Sequence, residues 1–190
     1  MTAAKSLTPQ ELDAALAHIA TREHAVRNRT MLLTSVLAGL RVSELAALTI
    51  GDVLNADGTV RTEIYLAANR VKHGHARTVY ISTRLQVELA AYIATRTWYT
   101  NTQPFFYSAR GPRCGFSANT MAQHFFWMYR AAGIANASSH SGRKTFLTSL
   151  ASQGVSVFVL ASLAGHKSIA TTQRYISVND DMKRRAVELV

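Results

Sequence analysis

The chain has 190 residues, 48% of them hydrophobic and 17% charged, enough for one domain with a buried core and too apolar for a chain disordered throughout. Its formal net charge is +10 and its pI about 10.3, a balance that favours a polyanionic partner, nucleic acid first. No apolar run approaches the ~20 residues of a membrane span, and the N-terminus lacks the apolar stretch of a signal peptide. Cys114 stands alone, so neither an intrachain disulfide nor a cysteine-based metal site is expected, as suits a reducing cytoplasm. The cations are spread along the chain and not gathered on one amphipathic helix, which argues against a membrane surface as the partner.

Thr8-Pro9-Gln10-Glu11 reads as a capping box that opens a first helix, with Leu12, Leu16 and Ile19 on one face. A second helix is predicted over about 25–38, with Gly39 as its C-cap and Arg41 just beyond. Ser43 is expected to cap a short helix through Glu44 to Leu48. From about 60 to 82 the period changes, and Ile64-Tyr65-Leu66 and Val79-Tyr80-Ile81 read as strands around a basic tip, Arg70 to Arg77. A helix over 84–96, an extended piece from Pro104 to Tyr107 and a loop from Ala109 to Gly115 follow. The remainder is helical: 118–131, 141–152, 156–164, 169–175 and 180–189, with Ser168 and Asn179 as caps. The expected architecture is one mainly α domain over 1–190 with a small antiparallel β-sheet.

Five cationic or titratable side chains and one phenol stand out: Arg41, Lys72, His140, Arg143, His166 and Tyr175. Cutting a phosphodiester requires charge neutralisation, an in-line nucleophile and a proton for the leaving oxygen. Only 11 acidic residues are present and no metal-ligating motif, so neutralisation would come from arginine, whose planar fork binds two phosphate oxygens at once. His140 and Arg143, three apart, can share one helix face. Gly165 precedes His166 in a turn where the backbone can approach a ligand closely. Singly, each residue also has an ordinary reading: Arg41 as an exposed ion pair with Glu44, His140 as a cap, Lys72 as a solvated turn lysine. Lys72 with His73, His75 and Arg77 could serve as a DNA-backbone contact; no carboxylate or cysteine nearby completes a metal site.

In order, the segments resemble the catalytic domain of the tyrosine recombinases, the phage integrase family. Gly39-Leu40-Arg41-Val42-Ser43-Glu44-Leu45 is similar to its first-arginine box, and Lys72 ahead of Arg77-Thr78-Val79 to its β-hairpin lysine. His140-Ser141-Gly142-Arg143 is similar to its His-x-x-Arg box. Leu163-Ala164-Gly165-His166 with Thr171-Thr172-Gln173-Arg174-Tyr175 is similar to its last histidine and nucleophile. The resemblance implies the fold of DNA breaking-rejoining enzymes and a site-specific recombinase or integrase working through a 3′-phosphotyrosyl intermediate. No metal, ATP or other cofactor is implied. Tyr175 would be the nucleophile, Arg41 and Arg143 the phosphate clamps, and Lys72 the acid for the 5′-oxygen. His140 would handle the phenol proton and His166 would hydrogen-bond the phosphate. Arg77, Lys144 and Lys167 are further candidate DNA contacts.

Double-stranded DNA is the implied partner, and the helix over 180–190 would dock on a neighbouring protomer in a tetramer on paired sites. The family's usual N-terminal core-binding domain is expected to be absent, since the resemblance starts at Leu7. Gly142 stands where the family often has leucine; a glycine costs a helix ~1 kcal/mol relative to alanine, so an irregular backbone is expected there. Three other readings stay open: a catalytically silent DNA-binding regulator, a metal-independent nuclease using His140, His166 and Lys72, and a type IB topoisomerase-like relaxing enzyme.

Overall fold

A computed structural model describes residues 4–68, 76–111, 113–176 and 180–188. In chain order they form α1 (Pro9–Ala20), α2 (Ala25–Ala38), α3 (Val42–Ala46), α4 (Ile50–Val53), β1 (Glu63–Leu66), β2 (Arg77–Tyr80), α5 (Thr83–Ile93), α6 (Ala118–Ala131), α7 (Ser141–Ser152), α8 (Val157–Ala164), α9 (Ile169–Gln173) and α10 (Asp180–Val187). The mainly helical architecture is as expected. β1 and β2 pair antiparallel, Glu63 opposite Tyr80 and Leu66 opposite Arg77, and bury Ile64, Leu66 and Val79 on one side. Among the described residues no helix is long and apolar enough to cross a membrane.

Helix α2 is the centre of the domain, packed against α1, α3, α5 and α7 and buried on nearly all sides. Two of its buried hydroxyls are paired, one within the helix and one across to α5: Thr34 Oγ1 donates to Thr30 O at 2.7 Å, and Thr30 Oγ1 to Glu88 O at 3.1 Å. Leu32, Leu45, Leu85, Leu89, Tyr92, Phe105, Phe125 and Tyr129 join it in the main core. A second, smaller core lies under the C-terminal helices. Leu147, Ala151, Leu160 and Ala164 form its centre, and Tyr175 and Ile176 pack against it, half-buried.

Several local expectations shift for identifiable reasons. The capping box at Thr8 is present: Thr8 Oγ1 accepts from Glu11 N at 3.1 Å and Glu11 Oε2 from Thr8 N at 3.0 Å. Helix α3 begins two residues earlier than Ser43 suggested, with Arg41 at the N-cap, because the Glu44 carboxylate accepts the Arg41 N–H at 2.8 Å. Helix α4 was not anticipated; Asp52 Oδ2 accepts the Thr49 N–H at 2.7 Å and starts its single turn. Helix α5 ends at Ile93, where Thr95 Oγ1 donates to Tyr92 O at 2.7 Å and competes with a further turn. Helix α9 ends at Gln173, so Tyr175 lies in the turn after it, its N–H donated to Thr172 O at 2.9 Å. Ser168 is at the N-cap of α9, and Asn179 lies outside the described residues.

The irregularity expected at Gly142 is absent, since α7 runs unbroken through it. The glycine is there for contact. A Cβ at this position would come within 2.3 Å of Ser35 Oγ and 2.8 Å of Ser35 Cβ on α2. Helix propensity alone would make Gly142→Ala stabilising by ~1 kcal/mol. The contact with α2 reverses that sign, and the substitution should destabilise by about 1–3 kcal/mol in urea unfolding, the usual range for overpacking. A variant more stable than the parent would contradict this view of the α2–α7 contact.

Candidate active site

The site is built on a buried carboxylate. Glu44 is 1% exposed, an environment in which an unpaired charge is very costly. It is paired twice: Arg41 Nη1 donates to Oε1 and Arg77 Nη2 to Oε2, each at 2.7 Å. Burial pushes its carboxyl up; hydrogen bonds and charge from Arg77, then the bonds from Arg41, outweigh burial and leave its pKa below the usual carboxylate value. Its contribution to stability is therefore complete above the ordinary glutamate pKa and is lost as pH falls through the lowered one. The pair with Arg41, expected to be exposed, is thus half-buried, with its carboxylate fully enclosed and Arg41 19% exposed.

Further guanidinium donors of this group run to backbone carbonyls at two helix ends. Arg41 Nη2 reaches Gly165 O at 3.1 Å and Arg77 Nη1 reaches Leu163 O at 2.7 Å, both at the C-terminus of α8. Arg143, 5% exposed, donates through Nη1 to Gly39 O at 2.7 Å, past the end of α2, and through Nη2 to Ala164 O at 2.6 Å. Both helices end on a left-handed glycine, Gly39 at φ 61° and Gly165 at φ 61°. A Cβ at Gly165 would stand 2.6 Å from Arg77 Cδ, so the turn is also glycine for want of room. Burial, then the neighbouring Arg41 and Arg77, lower the Arg143 pKa to about 10, which leaves it charged at neutral pH. Three guanidinium groups lie around one buried carboxylate that pairs with two of them, and positive charge is in excess.

His166 joins this group. Its Nε2 is 3.1 Å from Arg143 Nη2 and its Nδ1 is 2.8 Å from the Thr172 hydroxyl. Desolvation, then the charges of Arg143, Arg41 and Arg77, lower its pKa to about 4. The Tyr175 ring stacks on the imidazole, centroids 5.9 Å apart and planes 23° from parallel. One cleft of about 870 Å³ is lined by Arg41, His140, Arg143, His166 and Tyr175 together with Arg77, Lys144 and Lys167.

Five of the six residues singled out in the sequence therefore converge. The sixth, Lys72, lies outside the described residues; the neighbouring Ala76 lines the cleft. His140 is exposed at the N-cap of α7 without capping through its side chain. Lys167 is exposed and Lys144 half-buried. Arg77 differs from a surface contact: its side chain is only 7% exposed and is committed to Glu44 and Leu163. Ser168, expected only as a cap, and Thr171 and Arg174 of the nucleophile segment also line the cleft, a place the sequence did not assign to them. Thr172 escaped attention too, and its signal was the i, i+3 spacing to Tyr175.

Removing the Glu44 charge should leave the nearly enclosed Arg77 and the half-buried Arg41 without a counter-ion. Glu44→Gln is expected to lower unfolding stability by about 3–5 kcal/mol at neutral pH, the range for breaking one side of a buried pair. Urea titration of both proteins checks this; a loss under about 1 kcal/mol would mean that the carboxylate is not the counter-ion of the group.

Comparison with known proteins extends the picture. The model for the phage integrase family matches residues 5–182. The tyrosine recombinase XerC of Pelobacter propionicus is 32% identical over 160 residues, covering 83% of this chain and 50% of that protein. A crystal structure of XerA recombinase superposes with a TM-score of 0.75 at 25% identity, over 97% of this chain and 62% of that one. The fold also matches XerH site-specific recombinase bound to a palindromic difH substrate in a post-cleavage complex, with a TM-score of 0.72 at 21% identity, over 96% of this chain and 51% of that one. The chain spans 50% to 62% of the lengths of the first curated relatives it matches. Since the family match runs through both arginine boxes, the cleft and the tyrosine, the chain belongs to the phage integrase family.

Proposed function

We propose that this chain is the catalytic domain of a tyrosine-type site-specific DNA recombinase, acting on double-stranded DNA without metal or ATP. The observation that carries this reading is the arrangement of Tyr175, stacked on His166 while His166 contacts the buried Arg143, in a cleft that Arg41 also lines. The names of the relatives and the DNA-bound state of the XerH structure support it.

In this reading the cations receive the scissile phosphate. Arg41 and Arg143 clamp its non-bridging oxygens and stabilise the charge that grows as the phosphorus becomes five-coordinate. Tyr175 Oη attacks the phosphorus, the bond to the 5′-oxygen breaks, and the phosphate remains on the 3′ side as a phosphotyrosyl ester. His140 takes the phenol proton and Lys72 protonates the departing 5′-oxygen. A 5′-hydroxyl from another strand then attacks the phosphorus, and the reverse proton transfers release Tyr175. One ester is exchanged for another at each step, so no outside energy source is required. Lys144 and Lys167 would contact flanking phosphates, and Arg77 would hold the group together from beneath. The chain would act in the cytoplasm, where DNA is accessible. Helix α10, with Val187 70% exposed, would dock on a neighbouring protomer of a tetramer formed on paired sites.

Duplexes enriched from a random pool by binding to the chain, then nicked near the bound site, provide the test. Denaturing gels should reveal a covalent protein–DNA adduct that survives EDTA and disappears in Tyr175→Phe. An adduct that persists in that variant, or none on any enriched duplex, would overturn the reading.

A further inference from the structure

Helix α9 and its caps sort their side chains by face. Thr172 is buried beside His166. Ile169, Ala170 and Gln173 are exposed and lie outside the cleft lining. Ser168, Thr171 and Arg174 line the cleft, as does Tyr175 directly after them. Spaced three apart, the first three share one helical face, and Tyr175 continues it. No carboxylate lines the cleft among the described residues, so the face looks onto a space of one sign of charge.

Ser168, Thr171 and Arg174 are exposed, and their side chains have no hydrogen-bond or ion-pair partner among the described residues. Ser168 stands at the N-cap of α9, yet its hydroxyl makes no capping bond. Arg41, Arg77 and Arg143 are in the opposite condition, held by Glu44 and by carbonyls at helix ends. The cleft thus presents a fixed set of donors around Glu44 and an uncommitted set along α9. Arg174 carries a permanent charge on a planar fork that matches two oxygens of one phosphate. The hydroxyls of Ser168 and Thr171 can each donate to a phosphate oxygen without adding charge.

We propose that the cleft face of α9, through Ser168, Thr171 and Arg174, binds the phosphates beside the scissile one and sets the register in which that DNA strand meets Tyr175. Contacts of this kind fix position and carry no base identity. Because the face runs straight into the nucleophile, a strand held on it is held at a set distance from Tyr175. The register half of this proposal rests on the recombinase reading; the binding of a phosphate backbone by this face does not.

Binding of the enriched duplex is measured over a range of salt concentrations in a Tyr175→Phe background, where no adduct interferes. The slope of log K against log salt should shrink by about 0.9 in Arg174→Gln, one neutralised phosphate fewer, and return in Arg174→Lys. Ser168→Ala and Thr171→Val should each weaken binding by about 2- to 10-fold, the worth of one neutral hydrogen bond, with the slope unchanged. Gln173→Ala, on the outer face, should bind as the background protein does. Single uncharged methylphosphonates in the duplex then locate the contact: the one that weakens the background protein but not Arg174→Gln should lie next to the scissile phosphate. A purely structural Arg174 would move the unfolding midpoint and leave the salt slope alone. An unaltered slope in Arg174→Gln, full affinity in both hydroxyl variants, or a contacted phosphate remote from the cleavage point would overturn the proposal. If Tyr175 forms its adduct while the Arg174→Gln slope is unaltered, the recombinase reading stands without this face. Slopes as expected with no adduct from the Tyr175 protein would instead count against that reading and keep α9 as a phosphate-binding surface.

Discussion

Glu44 has almost no contact with solvent, and its charge must be met inside the protein. Arg41 comes to it from the start of α3 and Arg77 from β2. Arg77 continues to the last turn of α8, and Arg41 to the glycine just past it. Three stretches of chain far apart in sequence are thereby held at one point: the α2–α3 turn, the β-hairpin and the α8–α9 turn. The first carries Arg41 and the last carries His166. Arg143 then bridges the two helix ends, from Gly39 O to Ala164 O.

Helix ends solve the remaining electrostatic problem. The last carbonyls of a helix lack intrahelical partners and carry partial negative charge. The ends of α2 and α8 face the same cluster, and their carbonyls accept one donor each from Arg41 and Arg77 and two from Arg143. The cations are thus fixed in orientation while their full charge is preserved, since a carbonyl dipole neutralises no unit charge. Such a group is ready to receive an anion, with little reorganisation when it arrives. The second small core adds the phenol: Tyr175 is seated on Leu147, Ala151, Leu160 and Ala164 at one side and on His166 at the other.

Much of this was legible in the sequence because its signals are local. Thr8 with Glu11, the leucine spacing of the helices and the αL glycines Gly39 and Gly165 each act within a few residues, and the elements they mark are present. What was not legible depends on contacts between distant segments. Glu44 looked like an exposed partner of Arg41 because nothing local says that Arg77, thirty-three residues on, completes its shell. Arg77 looked like a surface cation for the same reason. Gly142 looked like a helix defect, whereas the requirement comes from Ser35 on another helix. Thr172 looked like one more polar residue of α9 until its hydroxyl was found beside His166. Basic residues at a site carry two kinds of role, clamp and scaffold, and only the fold separates them.

The central claim is that Tyr175 becomes joined to DNA in the cleft formed by Arg41, Arg143 and His166. Peptide mass spectrometry after trapping on an enriched nicked duplex and trimming with nuclease tests it most directly. The account predicts a nucleotide mass linked through a 3′-phosphate on Tyr175 and on no other residue. A nucleotide on a different side chain, or cleaved DNA with an unmodified Tyr175, would contradict it.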